Sequence, residues 1–192
     1  LNVIDAVVKR WSKMHGFPEL VDLMDKLLKI SSMLLKLRDP IVIDDAFDLL
    51  ISITCCVGPR LERQKEVIME NVIENLKQKE NISAYSKAAL AARELFIKLG
   101  DALSGYSPPA AEAVLDGLKL GPPFETIAPS FYLLATLCKK VPNTMGPYYN
   151  GIIESIFSAS GVDVYFRKNM MKNEGSIDDF NDVESLGFYR KY

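Results

Sequence analysis

Few side chains in this sequence combine the residue type and the spacing that catalysis needs. The only histidine is His15, and no serine or cysteine stands at a spacing that would make it part of a nucleophilic pair. We interpret His15 as a residue near a helix end that interacts with the helix dipole. Cys55 and Cys56 are adjacent, so their side chains diverge on a helix, whereas a zinc site uses spaced ligands. We expect both of them, and Cys138, to pack in the core.

Two pairs of neighbouring acids, Asp44-Asp45 and Asp178-Asp179, are the remaining candidates for acid–base chemistry. Adjacent residues on a helix point about 100° apart, so neither pair is expected to act on one substrate. Asp44-Asp45 suits the positive end of a helix dipole instead. The sequence also lacks the glycine-rich nucleotide-binding, H-E-x-x-H and EF-hand patterns. We therefore predict no catalytic, cofactor-binding or metal-binding residue, and a protein that is not an enzyme.

Two segments share a layout: TIAPSFYLLATLC at residues 126–138 and TMGPYYNGIIESIF at residues 144–157. Each begins with threonine and has proline three residues later, followed by aromatic residues and an apolar run. A phosphate loop would need several glycines and usually a lysine. Threonine as an N-cap with proline in the first turn is the better interpretation. The pattern predicts two successive helix starts, each presenting aromatic residues to a neighbouring helix.

The composition is that of an ordinary folded protein. Of the 192 residues 48% are hydrophobic and 25% charged, and a net charge of −2 offers no general attraction to nucleic acid or to an anionic membrane. No apolar run reaches the ~18 residues that span a bilayer, and the first residues lack a signal-peptide layout. Because the chain begins with Leu1, we expect it to be part of a longer protein. Three cysteines without a framework pattern favour a reducing compartment, and the expected location is intracellular, in the cytoplasm or nucleus.

Apolar residues recur at helical spacing along almost the whole chain, and no segment shows the sustained alternation of a strand. Proline and glycine mark the breaks: Pro40 follows Asp39 at one predicted start, and Gly58 ends that helix. Ser83 is the predicted N-cap of an alanine-rich helix that ends at Gly100. The pattern predicts an all-α fold of eight or nine helices, over residues about 3–15, 18–35, 40–57, 60–79, 84–99, 110–118, 127–140, 145–158 and 162–172.

Two stretches carry a family resemblance: LRDPIVIDDAFDLLISITCCVG at residues 37–58 and ENISAYSKAALAARELFIKLGDAL at residues 80–103. Each resembles the second helix of a HEAT unit, the first with an aspartate at the preceding turn and the second with small residues where HEAT helices cross. The helix pairs span about 40 residues, the size of HEAT and armadillo units. Asp44-Asp45 stands where such a helix usually has a basic residue, and the spacing after residue 100 is irregular. The resemblance implies antiparallel helical hairpins stacked as a HEAT/ARM-like superhelix.

The candidate partner-binding residues are aromatic, apolar or basic, and they lie in the last quarter of the chain. Tyrosine hydroxyls need water or a partner. Residues 174–189 contain five acids, no lysine or arginine, and several large apolar side chains, a composition that folds on binding or docks on its own protein. We predict a helical repeat domain over residues 1–172 and an acidic-apolar segment over residues 173–192. The candidates are Tyr148, Tyr149, Tyr165, Phe166, Arg167, Lys168, Phe180, Leu186, Phe188 and Tyr189.

Repeated amphipathic hairpins without a catalytic signature favour a protein–protein interaction scaffold within a larger intracellular assembly or a transport-receptor-like protein. One alternative is a helical platform in an RNA-processing complex, which would need a positive surface stripe. Another is a regulatory domain that acts on a nucleotide hydrolase through an exposed arginine, for which Arg60 and Arg93 are candidates. The expected partner is another protein, with no metal and no membrane insertion, and with nucleic acid contacted only indirectly.

Overall fold

The computed structural model describes residues 18–37, 39–120 and 124–159. Within these ranges every regular element is a helix and none is a strand, which confirms the predicted all-α class. The helices predicted over residues 3–15 and 162–172 lie outside the described residues. The elements are α1 (Pro18–Lys36), α2 (Pro40–Val57), a 3₁₀ helix (Gly58–Gln64), α3 (Lys65–Leu76), α4 (Ile82–Leu99), a 3₁₀ helix (Gly100–Tyr106), α5 (Ser107–Lys119), α6 (Phe124–Lys140), α7 (Pro142–Met145), a 3₁₀ helix (Gly146–Tyr148) and α8 (Tyr149–Ala159).

Backbone packing divides the chain into two compact units, Leu1–Ser155 and Ile156–Tyr192. Nearly all of the described residues therefore belong to the first unit, and only residues 156–159 of them belong to the second. The boundary predicted between residues 172 and 173 lies outside the described residues and stays a prediction.

Local signals explain where α2 begins and ends. The carbonyl of Asp39 accepts the N–H of Ile43 at 2.9 Å, and the Asp39 carboxylate accepts a longer bond from the N–H of Val42 at 3.4 Å. Gly58 follows the last residue with a φ of +46°, a conformation that glycine adopts without steric cost. The chain restarts there as a 3₁₀ helix and becomes α3 only at Lys65, so the single helix predicted over residues 60–79 was wrong.

The N-cap of α4 is Asn81 and not Ser83. Asn81 Oδ1 accepts the N–H of Ala84 at 3.1 Å, which satisfies one of the free donors of the first turn. Ser83 lies inside that turn, where its hydroxyl donates to Asp44 Oδ2 at 2.5 Å. The predicted cap was wrong because serine and asparagine cap equally well, and a tertiary partner for Ser83 decides between them.

The described helices pack in a regular order. Consecutive helices pack as pairs, α1 with α2, α3 with α4 and α5 with α6. Alternate helices also pack side by side, with α4 between α2 and α6, and α3 between α1 and α5. Two layers result, one built from α1, α3 and α5 and the other from α2, α4 and α6.

Five side-chain bonds between different helices share one sequence separation, 39 residues, while the Tyr85–Ser130 bond between α4 and α6 spans 45. Because the partners advance in the same direction along both helices, α2 and α4 run parallel to each other. The equal offset of the three bonds that join α2 and α4 means that these two helices keep one register along their contact. The bonded pairs are Asp25–Gln64, Asp44–Ser83, Asp48–Lys87, Cys55–Glu94 and Ser86–Glu125.

Small residues on α4 allow its neighbours to approach closely. Five of its alanines are at most 1% exposed, as expected for helices that cross at small side chains: Ala84, Ala88, Ala89, Ala91 and Ala92. Larger side chains complete the core between the two layers. Those with no exposed surface include Phe47, Ile43, Leu49, Met69, Leu95 and Phe96.

Tyr85 shows how tight this packing is. Its hydroxyl lies 2.9 Å from Ser130 Oγ, and Ser130 Oγ donates to the carbonyl of Thr126 at 2.7 Å, so the buried hydroxyls satisfy each other. Burial raises the pKa of Tyr85 above its usual value, against a smaller lowering from Ser130. On α5, a Cβ at Gly117 would lie 2.9 Å from the Tyr85 hydroxyl oxygen and 3.4 Å from its ring. Gly117 is therefore required by space.

We expect Gly117→Ala to lower the free energy of unfolding by about 1–3 kcal/mol, because the added methyl would lie 2.9 Å from the buried Tyr85 hydroxyl, which Ser130 holds in place. Urea unfolding measures the change. Gly105→Ala is the matched control: nothing lies within 4 Å of its added Cβ, and the change should stay within about 0.5 kcal/mol. Repeating Gly117→Ala in a Tyr85→Phe background should give a smaller loss. Equal losses at the two glycines would contradict this packing.

Candidate protein-interaction surface

The outward side of the layer formed by α2, α4 and α6 is a surface that three described helices build together. On α4, Ser83, Lys87 and Glu94 bond to α2, while Ser86 bonds to α6 on the opposite flank. Leu90 and Ile97 lie between these flanks and are partly exposed. We call this face the ladder surface and define it by Asp48, Cys55, Lys87, Leu90, Arg93, Glu94, Ile97 and Tyr132.

The charges on the ladder surface form one ion pair between helices and one within α4. Lys87 Nζ lies 2.5 Å from Asp48 Oδ1, with both side chains about a third exposed. Cys55 Sγ lies 4.0 Å from Glu94 Oε2, and Glu94 also forms an ion pair with Arg93. Partly exposed pairs of this kind are each worth roughly 0–1 kcal/mol. Their main effect is to fix the register between α2 and α4.

Pro129 lies inside α6 and not at its start. The helix begins at Phe124, so the predicted cap at Thr126 was wrong, and Thr126 is a buried residue of the first turn. Proline has no N–H, so the Glu125 carbonyl four residues earlier lacks its usual donor. Ser86 Oγ on α4 donates to that carbonyl at 3.4 Å, a long hydroxyl bond. The proline thereby creates a hydrogen bond between two helices.

The second Thr-x-x-Pro segment also differs from its prediction. Thr144 lies within the short α7, where its hydroxyl donates to the carbonyl of Val141 at 2.9 Å and lies 2.6 Å from Ser107 Oγ on α5. Helix α8 begins five residues later, at Tyr149, after a 3₁₀ turn that contains Pro147. The two segments are therefore not two copies of one capped helix start, because tertiary partners determine each of them separately.

The two tyrosines predicted to bind a partner have different surroundings. The Tyr148 hydroxyl donates to Glu112 Oε1 at 2.9 Å, and the side chain packs partly against the core. Burial, and then the Glu112 carboxylate, raise the pKa of Tyr148. Tyr149 is 43% exposed. The other predicted partner-binding residues, Tyr165 to Lys168 and those from Phe180 onward, lie outside the described residues and stay predictions.

The cysteine predictions hold only in part. Cys56 and Cys138 pack against the core with partial burial, which raises the pKa of the Cys138 thiol. Cys55 is exposed beside Glu94, so its predicted core position was wrong. In the described ranges no three His, Cys, Asp or Glu side chains come together as a metal site would require. His15 lies outside the described residues.

The remaining candidate groups are placed as follows. Asp44, predicted to complement the dipole of α2, accepts the Ser83 hydroxyl through one oxygen, while its other oxygen is buried. Arg93 is ion-paired with Glu94, and Arg60 is exposed in the first 3₁₀ helix. No helix within the described residues is long and apolar enough to cross a membrane.

Sequence reasoning missed two exposed features. Tyr132, 59% exposed on α6, was treated as a residue that packs on a neighbouring helix. The outward face of α1, with Ile30, Met33 and Leu37 exposed, was not considered. The available signal was that these three residues lie off the apolar stripe that the core uses, at helical spacing among themselves.

Comparison with known proteins adds no assignment: no protein-family model, no curated protein and no solved structure matches this chain.

A double-mutant cycle tests the Ser86–Glu125 bond. Ser86→Ala should lower the free energy of unfolding by about 0.5–1 kcal/mol, because the Glu125 carbonyl loses its donor. In a Pro129→Ala background the same change should cost almost nothing, since the N–H of the new alanine can bond to that carbonyl. Urea unfolding of the four proteins gives the coupling.

Ser83→Ala serves as the control for this cycle, because Ser83 bonds to Asp44 on the opposite flank of α4. Its cost should be equal in the two backgrounds. If Ser86→Ala lowers the free energy of unfolding equally in the Pro129 and Pro129→Ala backgrounds, Pro129 does not create the bond.

Proposed function

We propose that the chain is a HEAT/ARM-like stack of helical hairpins that acts as a non-enzymatic scaffold and binds another protein. The observation that carries the proposal is the offset of 39 residues shared by five side-chain bonds between different helices. Repeat folds of this kind stack each unit on the next in one register. The proposal extends to eight or nine helices and to an intracellular setting within a larger assembly.

A scaffold role follows from what such a stack exposes. Parallel helices lying side by side present a broad surface, which suits a protein partner better than a small molecule. The ladder surface has the composition of a contact site: partly exposed Leu90 and Ile97, an exposed tyrosine and an arginine. Tyrosine and arginine are enriched among residues that dominate binding energy.

The Ser86–Glu125 bond supports a position of the two strongest candidates, Arg93 and Tyr132, near each other. Arg93 and Tyr132 are separated by the same 39 residues that separate Ser86 from Glu125 on the same two helices. We therefore expect them to lie side by side at the α4–α6 boundary. Together with Leu90 they would form the centre of the contact, with the Asp48–Lys87 pair at its rim.

The test is affinity purification of the tagged chain from cells, read by quantitative mass spectrometry, with the wild-type protein and with an Arg93→Ala/Tyr132→Ala variant. We expect a protein that the wild type enriches to fall at least about tenfold with the variant, because truncating central contacts removes most of the binding energy. Thermal unfolding of both proteins should coincide, since both side chains are outside the core.

The matched control is Glu70→Ala/Lys77→Ala, which truncates two exposed residues that lie on or just after α3, in the other layer. It should leave the enrichment unchanged. If no protein is enriched, or if the two double variants lose the same partner equally, the scaffold proposal for the ladder surface fails.

A further inference from the structure

The outward face of α1 exposes large apolar side chains in a row. Ile30 is 45% exposed, Met33 68% and Leu37, just after the helix, 66%. Their spacing of three and four residues places them along one line of the helix surface. The opposite side of α1 is buried, through Leu27, Leu28, Ser31 and Leu35. The exposed row is thus a second apolar stripe, separate from the one that forms the core.

Three lysines accompany this row. Lys26, Lys29 and Lys36 are all exposed and recur within the same three turns. Among the described residues none of the three has an ion-pair partner. Asp25, an exposed acid on α1, accepts a hydrogen bond from Gln64 Nε2 at 3.0 Å and points to the neighbouring 3₁₀ helix. We call these six residues the α1 stripe: Lys26, Lys29, Ile30, Met33, Lys36 and Leu37.

The dimensions of the α1 stripe fit one helix. From residue 26 to residue 37 the helix rises about 16 Å, or three turns. The apolar residues form a line one side chain wide, as in the seam between two packed helices. Lys29 and Lys36 lie beside this line and Lys26 at its N-terminal end, where they would meet acidic side chains on the flanks of an opposing helix.

Neighbouring charges argue against a membrane as the occupant. Helix α3 packs beside α1 and exposes a row of acids, Glu66, Glu70 and Glu74. Such a row would be repelled by an anionic lipid surface, while it does not obstruct a single helix lying along α1. The observations therefore favour a narrow acidic ligand over a broad anionic surface.

We propose that the α1 stripe is a docking site for an acidic amphipathic helix of a partner protein. The apolar side of that helix covers Ile30, Met33 and Leu37, and its carboxylates pair with the lysines. This inference rests on the proposed function in that the chain binds protein, but it uses a different surface and names the chemistry of the ligand.

Fluorescence anisotropy with the full chain and a labelled, stapled acidic helix tests the proposal. The probe has about three turns, with leucines on one face and glutamates on both flanks. We expect a Kd of roughly 1–100 µM, weakened by added salt because the lysines contribute through partly exposed charge pairs. Lys29→Glu/Lys36→Glu, and separately Met33→Asp, should each weaken binding at least about tenfold.

Two controls use equally exposed positions elsewhere. Lys77→Glu reverses an exposed lysine after α3, and Val67→Asp adds a charge at an exposed apolar residue of α3. Both should leave the Kd within about twofold of the wild type. A probe with the same composition in scrambled order should not bind, because it presents no apolar face.

The proposal is overturned by absence of probe binding, or by binding that the lysine and Met33 variants do not change. Two further measurements identify other occupants and would equally overturn it. One is binding to phosphatidylserine vesicles that Met33→Asp abolishes, and the other is a dimer in sedimentation velocity that Met33→Asp dissociates. Arg93→Ala/Tyr132→Ala should leave the Kd of the probe unchanged, because these two residues lie on the ladder surface. The α1 stripe and the ladder surface are therefore tested separately, and the proposal for one can fail while the other stands.

Discussion

The close approach of helices to α4 is the constraint on which the rest of the structure depends. This helix packs on α2, α3 and α6, and its residues Ala84, Ala88, Ala89 and Ala92 have no exposed surface. Because its buried side is so closely packed, the polar side chains at its edges come within bonding distance of both parallel neighbours. Tyr85 extends the same constraint to α5, where only a residue without a side chain fits opposite its ring.

Polar bonds at the helix edges then convert close packing into a defined register. Apolar contacts alone tolerate sliding, since they depend on area and not on direction. Ser83, Lys87 and Glu94 each have one partner on α2, and those partners repeat the same spacing. The individual bonds are weak and partly exposed, so their contribution to stability is small beside that of the core. Their contribution to specificity of alignment is larger.

The sequence predicted the helical class and most helix positions, because apolar periodicity and proline or glycine breaks are local signals. It failed where a tertiary partner overrides a local preference. Pro129 was assigned to a first turn because that is where proline costs least, yet Ser86 compensates for it inside α6. Ser83 and Thr144 were assigned as caps, but each hydroxyl has a partner on another helix. Of the predicted partner-binding residues, Tyr148 uses its hydroxyl within the protein, and no sequence pattern could indicate Glu112 as its acceptor.

The register bonds between α2 and α4 also have a mechanical consequence. They lie at three levels, Asp44, Asp48 and Cys55, which are spread over about 16 Å of helix. Sliding one helix along the other by a single residue would break all three at once, whereas a small rotation about their common line would stretch each only slightly. The stack should therefore resist axial shear and yield more easily to bending, so that a partner pressing on it would change its curvature before it changed its alignment.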